Sequence, residues 1–165
     1  MDDDALLTLA GEVGAALKQR GWMLALAESC TGGMAAQFVT AIPGSSGWFE
    51  RGFVTYSNAA KMQMLGVSLF TLDKHGAVSL ETAREMALGA LKNSRAQIAA
   101  AITGIAGPDG GTQQKPVGTV CFAWVNMNQV TTSIEHFAGD RTAVRRQAVN
   151  HCLQRLLQLT LAPDL

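Results

Sequence analysis

Short apolar runs alternate along this chain with segments of helical spacing, and that alternation constrains the fold more than any other feature. Residues 22–27 and 97–103 are two such runs, each read as a buried strand, and residues 51–57 carry the β-type side chains Phe53, Val54, Thr55 and Tyr56. Around them the pattern is helical. Leu6, Leu7, Ala10, Val13, Gly14 and Leu17 recur at helical spacing over residues 5–19, with Asp4 as the expected cap and Gly21 as the stop. Residues 34–41 read as a second helix. A third is expected from a Ser57 or Asn58 cap to Leu65. A fourth follows the Ser79 cap over residues 80–93, with Ala83, Met86, Ala87 and Ala90 inward. Residues 43–47 read as a loop and 71–75 as a short turn. Residues 118–126 and 129–137 read as antiparallel strands joined by a tight turn near Met127 and Asn128. Gly139 and Asp140 then open a last helix to about Leu159. Helices set between apolar strands imply a layered α/β domain, and the late hairpin implies a mixed sheet.

The chain has 165 residues, which fits one domain over residues 1–165, large enough to bury a core without disulfides or metal. Hydrophobic residues make up 48% and charged residues 16%, which excludes a disordered chain. Thirteen basic residues balance thirteen acidic ones, a formal net charge of +0. That weighs against a protein that coats nucleic acid or an anionic membrane, while leaving room for a local basic site. Cys30, Cys121 and Cys152 are odd in number and widely spaced, so neither a disulfide framework nor a zinc site is expected. The start, Met1 followed by Asp2, Asp3 and Asp4, is the reverse of a signal peptide's basic opening, and no apolar run approaches the ~18–20 residues of a membrane span. A cytoplasmic protein with no membrane or nucleic-acid partner is expected.

Three polar segments fall where loops leave strands, the edge at which open α/β sheets bind ligands. The first is Glu28, Ser29, Cys30, Thr31, Gly32 and Gly33, a strand end running into a helix start. Backbone N–H groups there favour an anion or oxyanion, and the glycines admit a ligand close to the main chain. Spacing leaves two readings open: Ser29 or Thr31 caps the helix, or a hydroxyl of this turn is a nucleophile, with Cys30 as its rival. The second segment holds Tyr56, Ser57, Asn58 and Lys61. Ser57 and Lys61 are four apart and share a helix face. Lys61 is either a solvated lysine or a desolvated general base, and local sequence does not decide between them. The third runs from Thr103 through Gly104, Gly107, Gly110 and Gly111, continued by Lys115, Pro116, Val117, Gly118 and Thr119. It can cradle a phosphate on N–H groups or serve as a surface loop, and it fits neither the P-loop nor the dinucleotide spacing. Arg141, near a helix start, can clamp an anion, whereas Arg145, Arg146 and Arg155 read as a solvated helical face. No metal-ligand cluster and no His-containing triad stands out.

Taken in order, these segments resemble the C-terminal domain of the competence/damage-inducible protein CinA, over roughly residues 5–160. The resemblance implies a three-layer αβα sandwich, no cofactor or metal, self-association, and hydrolysis of a small nucleotide. The reaction it implies takes nicotinamide mononucleotide to nicotinate mononucleotide and ammonia, within pyridine-nucleotide recycling. By the same resemblance Ser29 matches the nucleophile, Lys61 its base and Tyr56 a hydroxyl that assists proton transfer. Glu28, Cys30, Thr31, Gly32, Gly33, Thr103, Gly104, Gly107, Gly110, Gly111 and Arg141 match the substrate-binding surroundings, and Ser57 is the fallback nucleophile. Ala59 departs from the Glu of the family pattern. Larger members carry an N-terminal nucleotide-processing domain outside the matched region, whose function does not transfer. A non-catalytic nucleotide-binding or regulatory module is the alternative to an enzyme. Nucleic-acid binding through the C-terminal arginines is a third reading, against which the zero net charge weighs.

Overall fold

A computed structural model describes residues 2–163; Met1, from the acidic start, lies outside the described residues. Five strands form one sheet in the order β2-β1-β3-β4-β5. They are β1 (Leu24–Glu28), β2 (Phe49–Val54), β3 (Ile98–Gly104), β4 (Thr119–Asn126) and β5 (Gln129–His136). The first three are mutually parallel and the last two antiparallel, so the sheet is mixed as expected. Six helices flank it among the described residues: α1 (Asp3–Arg20), α2 (Met34–Thr40), α3 (Asn58–Leu65), α4 (Leu69–His75), α5 (Leu80–Lys92) and α6 (Arg141–Leu161).

Topology dictates the layers. The crossover from β1 through α2 to β2 moves one way along the sheet, and the crossover from β2 through α3–α5 to β3 moves the other way. Two right-handed crossovers running in opposite directions must lie on opposite faces. Accordingly α1, α2 and α6 cover one face and α3, α4 and α5 the other, giving three layers.

The strands grade the two faces by side-chain size. Leu24, Leu26, Ile98, Ile102, Val120, Phe122 and Trp124 face the α1/α2/α6 layer. Ala25, Ala27, Ala99, Ala101, Cys121, Ala123 and Val125 face α5. The small face lets α5 approach closely with its inward Ala83, Met86, Ala87 and Ala90. Gly89 of the same helix meets the main chain of Leu65, at the end of α3.

The local departures from expectation concern ends and one short helix. Asp2, not Asp4, caps α1, its carboxylate accepting from the Ala5 N–H at 2.8 Å. Asp4 lies inside the first turn, where its charge still complements the helix dipole. Residues 71–75, expected as a turn, belong to α4, which Ser68 caps by accepting from Thr71 N–H. With seven residues it is too short for periodicity to reveal. Strands β1 and β2 are shifted from the expected 22–27 and 51–57, and the loop over 43–47 contains a 3-10 turn at Ser45–Gly47.

Candidate active site

Alternation at the end of β1 sends two consecutive residues to opposite layers. Glu28 shares the face of Leu24 and Leu26 and turns under α2; Ser29 turns the other way, towards α3. The Ser29 N–H donates to Ile102 O of β3 at 2.9 Å, so the residue is anchored by the sheet ladder itself.

Glu28 is 1% exposed. One carboxylate oxygen accepts from Thr31 Oγ1 at 2.6 Å and Ala35 N–H at 2.9 Å, the other from Ala36 N–H at 3.0 Å. Helix α2 begins after Gly33, which has φ 105 and no capping side chain, a backbone state that a residue with a Cβ resists. Glu28 supplies the missing cap from outside the helix and complements the dipole. Its carboxylate thereby occupies the N-terminal N–H groups of α2 that the sequence reading offered to an anion. Neither it nor Thr31, Gly32 or Gly33 lines the cavity described below.

Helix α3 supplies the second member. Ser57 caps it through Oγ, which accepts from Ala60 N–H at 3.0 Å, and Ser57 is exposed and outside the cavity lining. Lys61 and Leu65, one turn apart, form the buried stripe of this helix. Lys61 is 1% exposed, so the solvated reading is overturned. Its Nζ lies 2.9 Å from Ser29 Oγ, 3.0 Å from Thr55 O and 3.4 Å from Tyr56 O. Burial pulls the Lys61 amine below the usual lysine range. Ala59 is exposed and only two residues away, on a different flank of the helix from the inward amine. The Cys30 thiol is pushed up to about 12, first by burial and then by the Glu28 carboxylate, which leaves it protonated and a poor rival to Ser29.

The remaining segments close around this pair. A cavity of about 280 Å³ is lined by Ser29, Lys61, Tyr56 and Asn58 on one side, and by Thr103, Gly104, Gly107, Asp109 and Gly110 on the other. Gly111 does not line it. Thr103 Oγ1 donates to Ala77 O at 2.8 Å, tying the start of the glycine loop to the segment before α5. Lys115 Nζ donates to His75 O at 2.7 Å and ties down the loop's far end. Arg141 bridges two walls, donating to Gly107 O at 2.6 Å and to the Tyr56 hydroxyl at 2.8 Å. The Tyr56 hydroxyl therefore meets Arg141, while the main-chain carbonyl of Tyr56 meets Lys61. Asn58 and Asp109 also line the cavity and were missed as site residues, because a helix-start Asn and a loop Asp carry no distinctive spacing.

Arg145 departs from the solvated helical face expected of it: its guanidinium donates to Cys30 O at 3.2 Å and Thr31 O at 2.9 Å. Its spacing of four from Arg141 was the available signal, because both then project from one side of α6. Among the described residues no group of three or more His, Cys, Asp or Glu is placed to hold a metal ion, and no helix is long and apolar enough to cross a membrane.

Fold and cavity together define an α/β enzyme domain with a serine hydroxyl and a buried lysine amine paired at the carboxyl edge of a mixed sheet. The model of the CinA C-terminal domain matches residues 6–160, and the chain belongs to that family. It is 57% identical over 159 residues to the nicotinamide-nucleotide amidohydrolase PncC of Escherichia coli strain K12, covering 96% of each chain. The PncC of Pseudomonas putida is 49% identical over 156 residues, covering 94% of this chain and 98% of that one. Among solved structures, the competence/damage inducible protein CihA of Agrobacterium tumefaciens superposes with a TM-score of 0.92 at 45% identity, covering 96% of each chain.

Proposed function

We propose that this chain, folding as a single domain, hydrolyses the carboxamide of nicotinamide mononucleotide to nicotinate mononucleotide and ammonia. The observation that carries the reading is the 2.9 Å contact between Ser29 Oγ and the buried Lys61 Nζ, inside a cavity edged by a glycine loop and an arginine. The names of the PncC relatives supply the substrate.

In the proposed reaction neutral Lys61 takes the Ser29 proton as Oγ attacks the carboxamide carbon. The carbonyl π bond becomes an oxyanion, held by N–H groups of the turn after Ser29; each such donor contributes ~3–4 kcal/mol to the barrier reduction. The C–N bond then breaks and the Lys61 ammonium returns its proton to the leaving nitrogen, releasing ammonia. Water, deprotonated by the same amine, cleaves the nicotinyl ester and frees Ser29. Arg141 and the N–H groups of the glycine loop hold the phosphate, with Tyr56 keeping Arg141 in place. The setting proposed is cytoplasmic pyridine-nucleotide recycling. Self-association, which the family resemblance implies, is read from the mass of the purified protein in solution.

The test is ammonia release from nicotinamide mononucleotide by the purified chain, run beside Ser29→Ala. Release by the first and none by the second is expected. Binding without release in the unaltered chain would overturn the reading in favour of a non-catalytic nucleotide-binding module.

A further inference from the structure

We propose, resting on the hydrolysis of nicotinamide mononucleotide above, that Asp109 is the residue that selects for the positive charge of the substrate's ring. The cavity then prefers a nucleotide that is cationic at its base and anionic at its phosphate.

Two opposite charges line this cavity without neutralising one another. Asp109 is the only acid among the lining residues. Among the described residues its carboxylate has neither a hydrogen bond nor an ion pair. Arg141 lines the same cavity, yet it donates to two neutral oxygens, Gly107 O at 2.6 Å and the Tyr56 hydroxyl at 2.8 Å. The first of these bonds also anchors the glycine loop two residues before Asp109. A guanidinium close to a carboxylate commonly forms a bidentate pair with it. Here neutral acceptors hold the cation, and both charges stay free for a ligand. The other charges nearby are spent. Thr31 and the first N–H groups of α2 engage Glu28, Arg145 is engaged by the carbonyls of Cys30 and Thr31, and neither residue lines the cavity.

Nicotinamide mononucleotide carries the matching pair of charges. Its ring nitrogen is bonded to ribose and is therefore cationic, and its far end is a phosphate. With the phosphate on Arg141 and the carboxamide at Ser29, the ring lies inside the cavity. A volume of about 280 Å³ has, as a sphere, a radius of about 4 Å, so a charge on its wall acts on any group inside, well within the ~10 Å screening length of ~0.1 M salt. Asp109 is exposed, so solvent weakens the attraction, and the effect is a preference and not an absolute requirement. Hydrogen bonds to the carboxamide or the phosphate cannot supply this preference, because an uncharged ring of the same shape offers both groups equally.

The test measures binding by calorimetry in the full chain carrying Ser29→Ala, which spares the ligand. The two probes are nicotinamide mononucleotide and its uncharged isostere, the 5′-phosphate of the 3-carbamoylphenyl C-riboside, in which carbon replaces the ring nitrogen. The cationic probe is expected to bind about tenfold more tightly, and adding Asp109→Asn should remove most of that ratio by weakening this probe alone. Asp109→Glu should keep the ratio. So should Asp73→Asn, which removes an exposed acid of α4 outside the cavity lining. At about 1 M salt, where the screening length is about 3 Å, the ratio should shrink. With Ser29 intact, Asp109→Asn should raise KM for nicotinamide mononucleotide about tenfold and leave kcat within about threefold. A ratio that Asp109→Asn does not move would overturn the proposal. An equal loss for both probes would do the same, since it would put Asp109 on the ribose hydroxyls they share. A fall in kcat with KM kept would overturn it as well. Should the unaltered chain release no ammonia and Ser29→Ala bind neither probe, the substrate reading fails together with the proposal; ammonia release with an unmoved ratio sinks the proposal alone.

Discussion

Lys61 Nζ and Ser29 Oγ meet at 2.9 Å across 32 residues of sequence, and the two side chains are buried, at 1% and 8% exposure. The contact joins the end of a central strand to the inward stripe of a short helix.

The ionisation of Lys61 should govern the rate. Burial draws the amine below its ordinary value of 10.5, although the amine also donates to the Thr55 and Tyr56 carbonyls. Turnover should rise with pH through a single ionisation lying below 10.5 and then level off. Lys61→Met should lose at least about a thousandfold in kcat, and Lys61→Arg should not restore it, because guanidinium does not deprotonate. Steady-state rates across pH for the three proteins check this; a flat profile would remove Lys61 as the base.

Burial of the same amine also links stability to pH. The folded value lies below the unfolded one. Beneath the folded value both states carry the charge, and the folded state bears the whole burial cost. Between the two values the folded amine is neutral and the cost shrinks; above about 10.5 it is gone. The unfolding free energy of the unaltered chain, compared with Lys61→Met in urea, should therefore move in favour of the lysine as pH rises towards 10.5. A difference that does not change with pH would contradict the linkage.

Glu28 should matter for folding before it matters for chemistry. Removing its carboxylate leaves the Thr31 hydroxyl and two helix N–H groups without their acceptor. Glu28→Ala is expected to cost about 3 kcal/mol, within the range for orphaning buried donors once water repairs part of the loss. Glu28→Gln, which keeps one acceptor oxygen, should fall between. Urea denaturation measures both, and an unchanged midpoint for Glu28→Ala would show that the cap does not hold α2.

What the sequence disclosed followed from periodic pattern, and what it hid followed from three-dimensional pairing. The layered α/β architecture and mixed sheet could be read from short apolar strands separated by helical segments, and the β4–β5 hairpin from its turn. The segments bearing Ser29, Lys61 and Thr103 stood out because polar and glycine-rich stretches follow apolar ones. Whether Lys61 was wet or buried could not be read, since α3 is eight residues long and its inward stripe is only Lys61 and Leu65. Glu28 looked like a site group because proximity in sequence to Ser29 conceals the reversal of facing between neighbouring strand residues. The spacing of four from Arg141 puts Arg145 on the same side of α6, but its partners are main-chain carbonyls 115 and 114 residues away, which that spacing does not identify.

The close approach of α5 to α3 gives a last expectation, which connects packing to the site. A Cβ built on Gly89 would lie 1.9 Å from Leu65 O, and the obstacle is main chain, which cannot rotate aside. Gly89→Ala must push the end of α3 away from α5, and Lys61 sits one turn before Leu65 on that helix. The cost in stability should be about 3 kcal/mol, at the upper end of ordinary overpacking. Gly47→Ala, where a Cβ meets nothing within 4 Å, should stay within about 0.5 kcal/mol. Because the displaced helix carries the lysine, the folded fraction of Gly89→Ala should also turn over more slowly, whereas Gly47→Ala should match the unaltered chain. Urea midpoints and kcat per folded molecule measure the two effects separately. Full activity in a destabilised Gly89→Ala would mean that α3 yields at its end without moving Lys61 from Ser29.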